Sequence, residues 1–168
     1  MGPKVPLIEL RWRSPDGRNE VVLSGCCFSK MSSFARQNCL RETGSILVGY
    51  YSNDGKYAFI LDVSPIAKDS KAFPCAYTRG TKGVQQYYQR LQHNTKGRYH
   101  FVGEWHTHPN SSVIPSNCDL QTMFDIAEGR LIGCETPLLL ILGGCMNTPE
   151  DVGLYWFRDR KMIRMIRV

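Results

Sequence analysis

Residues 104–119 read Glu104-Trp105-His106-Thr107-His108-Pro109-Asn110-Ser111-Ser112-Val113-Ile114-Pro115-Ser116-Asn117-Cys118-Asp119. The stretch 99–108 leading into it is rich in β-branched and aromatic residues and predicts a strand that stops at Pro109. Side chains alternate along a strand, so His106 and His108 point to one face and can reach a common ion. Residues 116–127 predict a helix, because Leu120, Met123, Phe124 and Ala127 recur at helical spacing. Ser116 and Asp119 then lie one turn apart, and a loop over 109–115 folds the helix start back over the strand end. Two imidazoles and one carboxylate make a three-ligand site for a zinc ion, with the fourth position left to water in catalytic sites.

The same residues admit plainer readings. Ser-x-x-Asp before an apolar run is also a capping box that can start any helix. Paired histidines at a strand end can simply be packed or solvated. By alternation Glu104 shares the face of His106 and His108, so residue type alone admits it as a base or a ligand.

The combination His106-Thr107-His108-Pro109, then Ser116-x-x-Asp119, resembles the JAMM motif of the JAB/MPN metalloproteases, which cleave ubiquitin and ubiquitin-like proteins from their targets. That family carries a glutamate upstream, before a Gly-rich hydrophobic strand. Glu42-Thr43-Gly44-Ser45-Ile46-Leu47-Val48-Gly49 matches, with Ser45 standing where the family has a second glycine. The resemblance runs roughly from residue 28 to 157. It is nearest to short bacterial members with Gly-Glu-Trp-His-Thr-His-Pro, among them deconjugases encoded beside E1- and E2-like enzymes in anti-phage operons (CBASS and related systems) and peptidases that trim ubiquitin-like sulfur carriers. The resemblance implies His106, His108 and Asp119 as zinc ligands, Glu42 as general base and Ser116 as oxyanion donor. Glu104 then becomes a neighbour of the site or a packed strand residue. The substrate implied is the C-terminal tail of a ubiquitin-like protein or its conjugate.

The rest of the chain supports one domain over residues 1–168. Its 168 residues are 42% apolar, enough for a core. A net charge of +6, from 21 basic and 15 acidic residues, favours an acidic or neutral partner without pointing to nucleic acid. Arg158, Arg160, Lys161, Arg164 and Arg167 read as a solvated edge strand or helix face. Residues 1–6 lack the apolar core of a signal peptide, and the run 138–144 is too short to span a bilayer, so a cytoplasmic location away from membranes is expected. Seven cysteines without a Cys-x-x-Cys pair argue against a disulfide framework or a zinc knuckle. Most read as small buried residues, and Cys118 as a helix residue facing away from the ion.

Further strands are expected at 6–13, 20–24, 75–78, 137–143 and 152–157, and a hairpin at 45–51 and 57–64 around an Asp-Gly turn. Helices are expected at 28–41 and 84–93, with residues 65–80 otherwise an exposed loop. This is an α+β pattern, a mostly antiparallel mixed sheet flanked by helices. The resemblance implies the MPN fold, similar in layout to cytidine deaminases. The deaminase signature of His-x-Glu with Pro-Cys-x-x-Cys is absent. A processing peptidase for a ubiquitin-like sulfur-carrier protein, a non-catalytic MPN scaffold and a cysteine peptidase using Cys118 with His106 are the competing readings. An extended tail would reach the ion between loops 65–80 and 108–116, pairing with an exposed strand edge. The short 143–151 loop leaves little room for a large ubiquitin-binding insertion.

Overall fold

The computed structural model describes residues 8–73, 76–78, 80–130, 133–144 and 151–168. In chain order the elements are β1 (Glu9–Arg13), β2 (Glu20–Ser24), α1 (Gly25–Gln37), β3 (Gly44–Tyr51), β4 (Tyr57–Val63), β5 (Lys71–Phe73), β6 (Ala76–Thr78), α2 (Val84–Thr95), β7 (His100–Pro109), α3 (Asn117–Ala127), β8 (Leu138–Gly144), β9 (Val152–Arg158), β10 (Lys161–Arg164) and β11 (Ile166–Arg167). Nine strands form one sheet in the order β10-β9-β8-β7-β3-β4-β2-β1-β11, and β5 pairs with β6 apart from it. Only β2–β4 and β7–β8 run parallel; the other neighbours are antiparallel. This is the expected α+β architecture.

The two outer strands of that order are consecutive in the chain. β10 pairs with β9 and β11 with β1, while the Met165 N–H between them donates to Leu154 O at 2.8 Å. The C-terminal segment therefore laces the two ends of the sheet together, and the sheet curls around a core. Inside lie Trp12, Leu23, Leu47, Ile60, Trp105, Leu140, Trp156 and Met165, plugged by Cys27, Met31 and Ala35 of α1. A second core covers the other face of β3, β7, β8 and β9. Met123 and Ile126 of α3 pack there on Ile46, Val48, Leu139, Ile141 and Tyr155, with α2 alongside.

Most predicted elements stand at their expected places, with three adjustments. α1 begins three residues before the expected Phe28, because the Ser24 side chain caps it by accepting the Cys27 N–H. It ends at Gln37, where the Asn38 N–H turns back to Ala35 O and the Asn38 amide reaches Phe34 O. Lys71, read as loop, opens a short hairpin that pairs Lys71 with Thr78 and Phe73 with Ala76. Cys26 and Cys39 are exposed rather than buried; Cys27 and Cys134 are buried as expected, and Cys118, read as facing away from the ion, is exposed on α3. Among the described residues no cysteine forms a disulfide. Cys75, Cys145 and most of the 143–151 loop lie outside the described residues, as do positions 6 and 7 of the first expected strand. Of the basic C-terminal run, Lys161 and Arg164 are exposed on the edge strand β10 and Arg167 is exposed on the edge strand β11. Arg160 stands in the turn before β10, and Arg158 ends β9 half-buried, donating to Asn19 Oδ1 and Gly55 O. Among the described residues no helix is long and apolar enough to cross a membrane.

Candidate metal centre

β7 lies in the middle of the sheet, between β3 and β8, so its side chains are held by hydrogen-bonded neighbours on both sides. The register skips one residue of β7 between Phe101 and Gly103. A bulge there lets Val102 and Trp105, three apart, both enter the inner core. From Gly103 onward alternation is regular, and His106 and His108 emerge on the face that α3 covers. Trp105, on the opposite face as expected, donates its indole N–H to Ser45 Oγ at 2.8 Å, and Ser45 Oγ donates to Ser64 O at 2.8 Å. The serine that replaces the family's glycine thus serves a buried tryptophan.

α3 brings the carboxylate. Ser116 is its N-cap: Ser116 Oγ accepts the Asp119 N–H at 3.1 Å, and Asp119 Oδ2 accepts the Ser116 N–H at 2.7 Å. The plain capping-box reading is therefore correct, and it also has a chemical consequence, because the box fixes the rotamer that aims Asp119 at the histidines. His106 Nε2 and His108 Nε2 lie 3.1 Å apart, and Asp119 Oδ1 and Oδ2 lie 3.4 and 3.6 Å from them respectively. Four tetrahedral ligands at about 2.0–2.1 Å from an ion stand about 3.3 Å from one another. The three side chains already sit at that spacing, so they fit a small tetrahedral metal ion.

His108 Nδ1 lies 2.9 Å from Ser112 O. A carbonyl only accepts, so Nδ1 carries the proton and Nε2 is left with its lone pair for a metal. Burial works to raise Asp119, but the two imidazoles and the Ser116 N–H hold it far below the ordinary carboxylate range. Pairing with Asp119 raises His108, against desolvation. Burial raises Glu42 above its ordinary value; both imidazoles pull it down and Asp119 pushes it up. Glu42 therefore shares the electrostatic field of all three ligand residues.

Glu42 is held by a strap that sequence reading missed. The Thr43 N–H donates to Thr107 Oγ1 at 3.0 Å, and the Thr107 N–H donates to Thr43 O at 2.8 Å. Gly44 lets β3 approach this closely: a Cβ there would lie 2.0 Å from Trp105 O and 2.8 Å from His106 Cα. The visible signal was a glycine beside a predicted buried strand.

Among the described residues, the three-ligand cluster contains His106, His108 and Asp119 and does not include Glu104. Glu104 lies one pleat back on β7, opposite Ile46 and Leu139. Cys118 is exposed and takes no part in the cluster. His93 is exposed, and His100 stacks obliquely against Tyr51 at 6.0 Å.

Residues 26–158 match the family described as prokaryotic homologs of the JAB domain. The chain belongs to the prokaryotic JAB-domain family. Among curated relatives, the CD-NTase/cGAS isopeptidase of Enterobacter hormaechei subsp. hoffmannii (strain UCI 50) is 35% identical over 124 residues, covering 74% of this chain and 67% of that protein. The CD-NTase/cGAS isopeptidase of Vibrio cholerae serotype O1 (strain ATCC 39315 / El Tor Inaba N16961) is 25% identical over 124 residues, covering 73% of this chain and 76% of that one. The solution structure of protein DSY2949 from Desulfitobacterium hafniense superposes with a TM-score of 0.57 at 18% identity, covering 84% of this chain and 87% of that one, which establishes a shared fold.

Proposed function

We propose that this chain is a zinc-dependent isopeptidase of bacterial anti-phage defence, acting in the cytoplasm as a single catalytic domain. Its substrate would be a protein joined through its C-terminus to a lysine by E1- and E2-like enzymes, a ubiquitin-like protein or a CD-NTase. The observation that carries the reading is the pre-formed His106, His108 and Asp119 cluster with Glu42 in its field. The substrate class is supported by relatives named CD-NTase/cGAS isopeptidase.

His106, His108 and Asp119 would hold the ion. When bound, zinc supplies Lewis acidity that brings a water's pKa down to ~7 and polarises the scissile carbonyl. Glu42 accepts the water's proton and passes it to the departing lysine amine, a task for which a carboxyl raised by burial is suited. The exposed Ser116 uses its lone pair on the Asp119 N–H, which leaves its own proton to donate to the developing oxyanion. Such a donor is worth ~2.7–4 kcal/mol at comparable sites. Two exposed apolar side chains flank these residues in the sequence: Leu40 before Glu42 and Ile114 before Ser116, 73% and 60% exposed. They and the β5–β6 hairpin offer an extended tail apolar contacts and a strand edge.

The test is a lysine-linked CD-NTase conjugate incubated with the purified protein and followed by gel shift. Cleavage should stop with 1,10-phenanthroline, return with Zn2+ and resist iodoacetamide. Cleavage that survives metal removal, or that alkylation of Cys118 blocks, overturns the proposal.

A further inference from the structure

The segment between the two prolines of the motif, residues 110–114, carries the carbonyl that fixes the His108 tautomer. Among the described residues its own hydrogen bonds are few: the Ser111 N–H reaches back to His108 O at 3.2 Å, and Ser112 O meets His108 Nδ1 at 2.9 Å. What places Val113, the next residue, comes from β8 and β9. Val113 sits over Gly143 and Gly153. A Cβ on Gly143 would stand 2.7 Å from Val113 Cγ1 and 2.9 Å from Ser111 O. A Cβ on Gly153 would stand 2.5 Å from Val113 O and 2.8 Å from Val113 Cβ. These glycines leave a trough in an otherwise bulky sheet face. Along the same strand, Tyr155 is 2% exposed, and its hydroxyl donates to Val113 O at 2.8 Å.

We infer that Tyr155 is a positioning residue for the metal site, with the Gly143/Gly153 trough as its counterpart. The phenol holds Val113 O, and the adjoining Ser112 O thereby stays on His108 Nδ1, keeping Nε2 aimed between His106 and Asp119. The two devices act together from one sheet face: the hydroxyl draws Val113 O down and the missing side chains let it come. A tyrosine that served only the core would need its ring alone, and the ring packs equally well without the hydroxyl.

This inference rests on the metal reading above, and the experiment separates the two. Co2+ binding is measured by competition with a chromophoric chelator and by visible absorption, on wild type, Tyr155→Phe and Gly153→Ala. The phenylalanine variant keeps the ring in the core and removes only the latch. Groups that orient metal-bound histidines are worth 10–100-fold in affinity, and Tyr155 acts one peptide further out, so a loss of about tenfold is expected. The Co2+ absorption bands should shift, because the His108 ring is less fixed. Gly153→Ala, which lifts Val113 O from below, should give the same loss and stands in if the phenylalanine variant does not fold. Affinities within twofold of wild type with unchanged bands in both variants overturn the inference alone. Failure of the wild-type chain to bind Co2+ overturns it together with the metal reading.

Discussion

Thr107→Val tests whether the strap behind the site governs the general base. Thr107 and Thr43 are 0% and 2% exposed, and the Thr43 N–H has Thr107 Oγ1 as its partner at 3.0 Å. Valine keeps the β-branched shape that suits a strand and deletes the acceptor. A buried N–H left without its partner costs ~1–3 kcal/mol. For a chain of this size each kcal/mol lowers the melting midpoint by roughly 2–4 °C, so the variant should melt about 2–12 °C lower. The larger effect belongs to catalysis. Thr43 is joined directly to Glu42, and a displacement of ~1 Å at a reacting group can cost 10²-fold. The His106 and His108 side chains lie on the opposite face of β7 and keep their geometry. Metal affinity should therefore stay within about twofold while kcat falls ~10–100-fold. Thr107→Ser keeps the oxygen and should restore kcat, losing only the packing of one methyl. Calorimetry, metal competition and conjugate cleavage on the two variants decide it. A valine variant with wild-type kcat refutes the reasoning.

Glu42→Gln should bind one Zn2+ per chain by elemental analysis yet lose ~10²–10⁴-fold in kcat; retained activity there, with loss in Glu104→Gln, would move the base to Glu104. His106→Ala should fail to retain Zn2+ through gel filtration. The metal-free protein should change stability with pH in a definite direction. His108 and Glu42 are raised in the folded state, so each contributes stability at low pH that is lost as pH rises through its folded value, whereas depressed Asp119 contributes stability that is lost only in strong acid. Melting of the metal-free chain should therefore fall between about pH 5 and 8, while the added stabilisation by Zn2+ grows as His108 sheds its proton. A metal-free midpoint that rises over that range contradicts the assignment. Ile114→Asp should raise KM for a conjugate several-fold, with Zn2+ affinity unchanged in the same chelator competition.

The parts of this site that could be read in the sequence are those fixed by local periodicity. Alternation placed His106 and His108 on one face because β7 is regular beyond its bulge, and helical spacing placed Asp119 one turn from Ser116. The start of α1 was missed because the apolar pattern begins at Phe28, whereas the helix is started by a polar cap at Ser24. The burial of cysteines was misjudged for a related reason: Cys26 and Cys39 stand on the exposed side of α1 and in the turn after it, where residue type does not decide exposure. The glycines at 143 and 153, the strap between Thr43 and Thr107, and the Tyr155 hydrogen bond join elements far apart in the chain. No window of sequence displays such contacts, since they depend on which strands become neighbours.

The lacing of the sheet by its last strand bears on how the chain reaches its native state. β1 pairs with β2 on one side and only with β11 on the other, and Arg167 reaches Arg11 across 156 residues. Until that far segment has been synthesised and docked, the first strand keeps an open row of amides, and the pocket that takes Trp12 and Met165 has no floor. Pairing β1 with β11 closes a very long loop, the kind of contact that slows assembly and leaves an adhesive border exposed until it forms.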